Sequence, residues 1–279
     1  MARVTLMPNG CTASIPREGA NPDPAKRGEC QGWTLQVTRR LRRWLYSVDG
    51  PSLGDGGYTF TGTVLELPPT PAEWTATLRR HHDRLRYEGL IRGQWLTEFQ
   101  KRGVPHVHTC GFFPAAYSAD VAKMVTDHWL GAAAPWAPER QSQWVNDLWG
   151  LRGWFRYQAK HSARGVKHYQ RANVPEAWQR RTGRLWGVLG EWPTKALTVK
   201  VDQLTFVRFR RGLRSWLISE ARAEKNVNWK RVAWLRRMLQ DPDPKRAAVR
   251  PVGEFCPEST AKKLLIAALH DNSSGSLEP

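Results

Sequence analysis

The fold and the candidate chemistry both centre on residues 98–113, which read EFQKRGVPHVHTCGFF. The apolar runs on either side of KRGVP predict two strands that are joined as a β-hairpin. Side chains at alternate positions of a strand point to the same face, so His106 and His108 present their imidazoles side by side. A hairpin that turns within this segment brings Glu98 back to a position beside the two histidines.

These three side chains support two interpretations. A carboxylate and two imidazoles can converge on one divalent ion, and this mixed set suits Mn²⁺ or Mg²⁺ with positions left for a substrate oxygen. A closed structural zinc site would instead need four protein ligands, normally including thiolates. The alternative is an ordinary half-buried strand whose histidines have polar partners. Residues 98–113 alone leave both interpretations open.

The surrounding segments predict alternating strands and helices. A β-rich run covers 58–67, and the helix that follows has Thr70 as its N-cap and Glu73 at the capping-box position. Another helix is expected to begin after Ser118. The order strand, helix, strand, strand, helix predicts an α+β fold, ferredoxin-like or split βαβ, with a central antiparallel sheet. Two later segments are also predicted as strands: 183–192 and 196–204.

A second candidate reactive segment is WFRYQAKHSARGVKHYQ, within a stretch (141–170) that is predicted to be largely helical. Tyr157 and Lys160 are spaced i and i+3, so they are neighbours on one helix face. A phenol is a poor nucleophile at its ordinary pKa of about 10, and a nearby ammonium group or metal favours the phenolate. The same ammonium group can stabilise charge on a phosphate oxygen. The plainer alternative is an aromatic residue packed in the core beside a solvated lysine.

The composition indicates a polyanionic partner. The chain has 43 Lys and Arg against 25 Asp and Glu, a net charge of +18 and a pI near 10.4. Basic side chains neutralise phosphates and release counterions, which favours nucleic-acid binding. No apolar run approaches the length of a membrane span, and four scattered cysteines are typical of a reduced, cytoplasmic protein.

Three motifs in this order resemble those of HUH-type rolling-circle replication initiators of small plasmids and filamentous-phage-type elements. YTFTGTV (58–64) is similar to their first motif, the hairpin segment 98–113 to the second, and YQAKH (157–161) to the third. An early Arg-rich segment, VTRRLRR, and the late segment GRLWGVLGEW are similar to further parts of these proteins. The resemblance covers roughly residues 32–192.

The resemblance implies a metal-dependent, site-specific nickase and ligase of single-stranded DNA that acts at an origin hairpin. Tyr157 would attack the scissile phosphate, giving a 5′-phosphotyrosyl enzyme and a free 3′-hydroxyl, with Lys160 as an electrostatic assistant. Glu98, His106 and His108 would hold Mn²⁺ or Mg²⁺. Host helicase and polymerase would be partners in the cytoplasm of a prokaryotic cell.

The sequence departs from some members of that family, which carry a second tyrosine one helical turn after the first. His161 occupies that position, and Tyr169 lies three turns on, so single-tyrosine chemistry is expected. Basic side chains near the motifs are candidate DNA contacts, with a solvated surface as the alternative: Arg39, Arg40, Arg102, Arg164 and Lys167.

Other functions remain open at this point. A relaxase or transposase of the same superfamily uses similar groups, although the chain contains no GxxxxGK[ST] helicase motif. A non-enzymatic DNA- or RNA-binding protein with the same fold is an alternative of a different class.

Three regions are expected along the chain. Residues 1–31 are predicted as an irregular lead-in, and 32–202 as the HUH endonuclease domain, including a basic amphipathic helix at 36–48. Residues 203–279 are predicted as a basic, mainly helical region that contacts duplex DNA, with a loop or linker at 241–259.

Overall fold

The computed structural model describes residues 1–16, 32–54, 57–114, 117–163, 168, 173–179 and 181–270, with the backbone alone at 160–163. The strands of this part of the chain are β1 (Ala2–Met7), β2 (Gly10–Ser14), β3 (Gly57–Gly62), β4 (Arg92–Phe99), β5 (Pro105–Phe112), β6 (Trp144–Asp147), β7 (Trp186–Leu189), β8 (Leu197–Val201) and β9 (Val252–Phe255). Its α-helices are α1 (Leu35–Ser47), α2 (Pro71–Tyr87), α3 (Ala119–Ala133), α4 (Leu151–Ala163), α5 (Gln203–Ala223), α6 (Trp229–Arg237), α7 (Pro244–Val249) and α8 (Glu258–His270).

These elements form two antiparallel sheets with helices, which confirms the predicted α+β class. One sheet has the order β6-β3-β5-β4-β7, and the other has the order β8-β1-β2-β9. The chain divides into two compact units: Met1–Pro24, Arg43–Asp49 and Thr194–Pro279 in one, Ala25–Arg42 and Gly50–Pro193 in the other. Among the described helices, none is long and apolar enough to cross a membrane.

In the five-stranded sheet, two helical connections each pass over a strand. β3, α2 and β4 follow one another in the chain, yet β5 lies between β3 and β4 and is antiparallel to both. In the same way β3 lies between β5 and β6, which α3 connects. The central strand β5 is therefore paired both with its hairpin partner β4 and with β3, which precedes it in the chain by more than forty residues.

The helix α2 packs against one face of this sheet. It begins with the predicted capping box, in which Glu73 N donates to Thr70 Oγ1 at 3.3 Å and Thr70 N donates to Glu73 Oε2 at 2.9 Å. The buried Trp74 donates from Nε1 to Thr97 Oγ1 at 3.0 Å, and Trp129 of α3 lies edge-on to the same indole. Because side chains alternate along β4, the neighbouring Glu98 points to the opposite face.

The four-stranded sheet has its own apolar core. Val4 and Leu6 of β1 are buried with Phe206 and Phe209 of α5. The guanidinium of Arg210 is also buried, and it donates to the carbonyl oxygens of Ala247, Ala248 and Arg250 at 3.1, 2.8 and 2.7 Å. This arginine thus fixes the end of α7 against α5 through charge-assisted hydrogen bonds.

Two expectations for the chain termini are wrong. Residues 2–14 are not irregular, since β1 and β2 form a hairpin joined by the two-residue turn Pro8-Asn9, both residue types that favour turns. Residues 241–259 are not a simple linker, because they contain α7 and β9, and β9 pairs with β2. Short strands of this kind carry little pattern of their own and are fixed by their partners.

Two expectations for the middle of the chain also need correction. The stretch 141–170 is not helical throughout, because β6 pairs with β3 before α4 begins. The strand predicted within 196–204 exists as β8, but it pairs with β1 and so lies in the four-stranded sheet, outside the unit that holds Glu98. Sequence reveals a strand more readily than it reveals the partner of that strand.

His81 and His82 of α2 stand in an arginine-rich sequence that by itself favours a position facing solvent or DNA, yet both are buried. The His81 ring lies 5.3 Å from that of Phe60 and 5.4 Å from that of Trp129, and His82 lies 5.9 Å from Trp95. Burial lowers the pKa of His82 to about 3, with a smaller contribution from the Arg86 charge. Burial likewise holds the pKa of His81 well below its usual range. Both imidazoles are therefore neutral parts of the core.

We expect these histidines to make the fold sensitive to acid. The folded-state pKa of His82 lies below the unfolded value, so the unfolded chain binds more protons, and stability present above about pH 6.5 is lost as pH falls toward 3. Between pH 7 and 5, His82 should account for about 2 kcal/mol of the free energy of unfolding. Urea unfolding of His82→Gln should show a weaker pH dependence than the parent, whereas His270→Gln, at the exposed end of α8, should not. Identical pH profiles for His82→Gln and the parent would contradict this assignment.

Candidate functional site: a buried Glu-His-His cluster beside Tyr157

The hairpin of β4 and β5 places the three candidate metal ligands together, as predicted. Glu98 is paired in register with His106, and His108 is paired with Leu96 on the same face of the sheet. The turn closes through hydrogen bonds from Gln100 N to Val104 O and from Gly103 N to Gln100 O, both 2.9 Å. Gly103 has a φ of +81°, a conformation that glycine adopts without strain.

The ligand atoms of this cluster converge. Nε2 of His106 lies 2.9 Å from Nε2 of His108, and Glu98 Oε2 lies 3.9 and 3.6 Å from these two nitrogens. All three side chains are buried, and one donor atom of each lies within 4.8 Å of the others. A buried carboxylate and two imidazoles aimed at one point fit a divalent ion, because its charge would compensate the cost of burying the carboxylate.

A fourth residue, Thr61 on β3, contacts the cluster and was missed as a site residue by the sequence reasoning. Thr61 is paired with His108 across the strands, and its Oγ1 lies 3.0 Å from His108 Nδ1. A metal-binding imidazole normally donates its second ring N–H to a neighbour, which fixes the tautomer and the ring orientation. The available signal was the period-two placement of Thr59 and Thr61 within the first motif.

Tyr157 on α4 stands next to the cluster. Its ring lies 5.8 Å from the His108 ring at an interplanar angle of 87°, and 5.6 Å from Trp154 in a stacked arrangement. The tyrosine is 42% exposed, so an external molecule can reach a side chain that borders the buried cluster of Glu98, His106 and His108. Lys160 lies on the same helix three residues later, and its backbone follows α4.

The predicted DNA contacts have varied locations. Arg39 and Arg40 are exposed on α1, where they can meet a phosphate. Arg102 instead donates to the carbonyl oxygens of Val64 and Leu65 and to Gln100 Oε1, so its guanidinium ties the hairpin turn to the segment after β3. Three residues lie outside the described part of the chain: Arg164, Lys167 and Tyr169.

Known replication proteins are similar to this chain over most of its length. The replication-associated protein of Pseudomonas phage Pf3 is 34% identical over 250 residues, which cover 88% of the chain and 89% of that protein. A putative replication protein of Xylella fastidiosa strain 9a5c is 36% identical over 266 residues, 92% of the chain and 93% of the relative. Another, from strain Temecula1, is 35% identical over 257 residues, 88% of the chain and 96% of the relative.

No family model matches the sequence, and no solved structure matches the fold. The similarity to the three replication proteins nevertheless extends over nearly the full length of both partners in each comparison. The chain belongs to the family of phage and bacterial replication proteins that includes the replication-associated protein of phage Pf3.

Proposed function

We propose that this chain is an HUH-type initiator of rolling-circle replication that nicks and rejoins single-stranded DNA at an origin. The observation that carries the proposal is the partly exposed Tyr157 ring, 5.8 Å from the ring of His108 in the buried cluster, in a chain related to replication proteins. Two helical connections that each pass over a strand also support the ferredoxin-like, split βαβ fold expected for such a domain.

The proposed reaction is a phosphoryl transfer to tyrosine. Tyr157 Oη attacks the scissile phosphorus, so an O–P bond to the tyrosine forms as the bond from phosphorus to the 3′-oxygen breaks. The phenolic proton is lost and the leaving 3′-oxygen gains one, giving a 5′-phosphotyrosyl enzyme and a free 3′-hydroxyl that primes synthesis. Attack by a 3′-hydroxyl on the same linkage reverses these steps and rejoins the strand.

The side chains around Tyr157 have separate roles in this proposal. Glu98, His106 and His108 hold Mn²⁺ or Mg²⁺, which would supply Lewis-acid polarisation of the phosphate. Thr61 orients His108 through Nδ1. Lys160, one helical turn from Tyr157, provides positive charge to a non-bridging phosphate oxygen.

The experiment that tests this function is a nicking assay on end-labelled single-stranded DNA from candidate origins, with and without Mn²⁺. We expect metal-dependent cleavage and a protein–DNA adduct that survives denaturation. Binding without cleavage on every origin would favour the non-enzymatic alternative. Strand transfer restricted to transfer-origin or transposon-end DNA would favour a relaxase or transposase.

A role in replication also implies contacts with the DNA backbone and with host replication enzymes. The exposed Arg39 and Arg40, together with Arg164 and Lys167, are proposed to contact the DNA backbone. The free 3′-hydroxyl would be used by a host polymerase after a host helicase opens the duplex, which places the reaction in the cytoplasm of the host cell.

The helix α6 is the best candidate for contacting duplex DNA. It follows α5 after a short connection, and Asn228 Oδ1 caps it by accepting from Arg231 N at 3.1 Å. Its buried side is formed by Val232 and Leu235. The opposite side carries Lys230, Trp234 and Arg237, all exposed, and the sequence WKRVAWLRR contains no acidic residue. A helix of this kind can enter a groove or follow the phosphates.

We expect the double substitution Lys230→Gln with Arg237→Gln to weaken binding to origin duplexes by about 10- to 100-fold near 0.1 M salt. The plot of log affinity against log salt should become shallower by about 2, because each lost phosphate contact removes about 0.9. The matched control is Lys262→Gln with Lys263→Gln on α8, also exposed, which should leave duplex affinity unchanged. If the two double variants bind origin duplexes with equal affinity, α6 is not part of the DNA interface.

A further inference from the structure

One pocket is lined in part by Tyr157, and a second pocket lies next to it. The nearer has a volume of about 310 Å³ and is bordered by Thr59 and Thr61 of β3 and by Trp154 and Tyr157 of α4. The farther has a volume of about 440 Å³ and extends from the same segment toward Phe112 and Tyr117. Three consecutive residues line both pockets: Asp147, Leu148 and Trp149. The two pockets therefore share one wall, which this segment forms.

Trp149 stands between these pockets with 92% of its surface exposed. An indole in water at this point contributes little to the stability of the fold, because little of its apolar surface is buried. The neighbouring Trp154 and Tyr157 rings are already stacked at 24°, so three aromatic side chains border one opening. Aromatic side chains arranged beside a basic protein surface are the usual means of stacking unpaired bases.

Two glycines keep the nearer pocket wide. A Cβ atom built on Gly150 or on Gly153 would meet no heavy atom within 4 Å. Neither residue has a positive φ, so neither the backbone conformation nor close packing requires glycine there. Glycine in a helix is destabilising by roughly 0.5–1 kcal/mol relative to Ala, and Gly153 lies inside α4. What Gly153 does provide is space next to Tyr157.

We infer that the nearer pocket binds one unpaired base of the DNA strand, stacked on Trp149, and thereby positions the adjacent phosphate at Tyr157. The inference rests on the proposed DNA-nicking function. Stacking of this kind accepts any base, because every base has a π-face.

The test measures binding of fluorescein-labelled single-stranded 12-mers by anisotropy in EDTA, where no metal-dependent cleavage occurs. The probes are alternating dT-dG, alternating dT-dC and all-dT. We expect Trp149→Ala to weaken binding of the dT-dG probe by about 5- to 150-fold, the range found for loss of one stacked base. Gly153→Leu should weaken binding by filling the pocket, whereas Gly153→Ala should change it by less than about twofold.

The control is Tyr87→Ala, since Tyr87 is 91% exposed on α2 and lies outside both pockets. Wild-type affinity of both Trp149→Ala and Gly153→Leu for every probe would overturn the inference. The nicking assay separates the two proposals. If the pocket variants weaken DNA binding but the parent protein does not nick DNA, the proposed reaction is wrong and the base site stands. If the parent protein nicks DNA but the pocket variants bind it normally, the base site is wrong and the proposed reaction stands.

Discussion

Tyr157→Phe is expected to abolish the covalent protein–DNA adduct and to lower the nicking rate by at least about 10³-fold, because it removes the attacking oxygen and leaves the ring in place. The Tyr157 ring stacks on Trp154 and lies edge-on to His108, and phenylalanine preserves both contacts. Binding of single-stranded DNA and of Mn²⁺ should therefore stay close to that of the parent protein. The measurement is denaturing electrophoresis of labelled single-stranded origin DNA after incubation with Mn²⁺.

Two further variants make this result specific to one tyrosine. Tyr87→Phe changes an exposed tyrosine on α2 and should retain the adduct. Tyr169→Phe should also retain it if the chemistry uses a single tyrosine, as His161 in the second-tyrosine position indicates. An adduct that persists in Tyr157→Phe and disappears in Tyr169→Phe would reverse the assignment of the nucleophile.

Glu98→Ala is expected to lower Mn²⁺ affinity by at least about 100-fold and to remove nicking. Mutation of a residue that only orients a ligand typically lowers metal affinity by about 10- to 100-fold. Removal of a direct ligand should lower it further. Thr61→Val tests that smaller range, since it removes the oxygen 3.0 Å from His108 Nδ1 but leaves the three ligands in place. Isothermal titration calorimetry with Mn²⁺ measures binding in the absence of DNA, so the result does not depend on activity.

The matched control is Glu66→Ala, an exposed carboxylate in the same unit of the chain. Circular dichroism would show that Glu98→Ala retains its secondary structure, which matters because Glu98 is buried. Parent-like Mn²⁺ affinity in Glu98→Ala, alongside weakened affinity in His106→Ala, would mean that the histidines bind the ion without the carboxylate.

The hairpin and its cluster were predictable because they depend on local rules. The alternation of side chains fixes the common face of His106 and His108, and the turn between two short runs fixes the return of Glu98. The capping box at Thr70 was predictable for the same reason, since its hydrogen bonds join residues three apart. The position of Tyr157 next to His108 was suggested only by resemblance, because the two lie on different elements.

The features that sequence missed depend on partners distant in the chain. The strand β9 is only four residues long, and it joins a sheet because it pairs with β2, which lies more than two hundred residues earlier in the chain. His81 and His82 stand among arginines, a sequence context that favours the surface, yet their rings lie next to those of Phe60, Trp129 and Trp95. Polar residue types indicate exposure only on average, and tertiary packing determined these two positions.

Side chains alternate between the two faces of the sheet along β4 and β5. This makes the site far more sensitive to a change in the length of these strands than to a change of one side chain. On β4, Trp95 and Thr97 contact residues of α2, while Glu98, between Thr97 and Phe99, faces His106 and His108. Inserting or deleting one residue within either strand would exchange the two faces, burying ligands under α2 and moving core residues to the cluster. Single-residue insertions and deletions should therefore be excluded from these strands during natural variation. Changes of length should accumulate instead in loops outside the paired strands, where no register is shared.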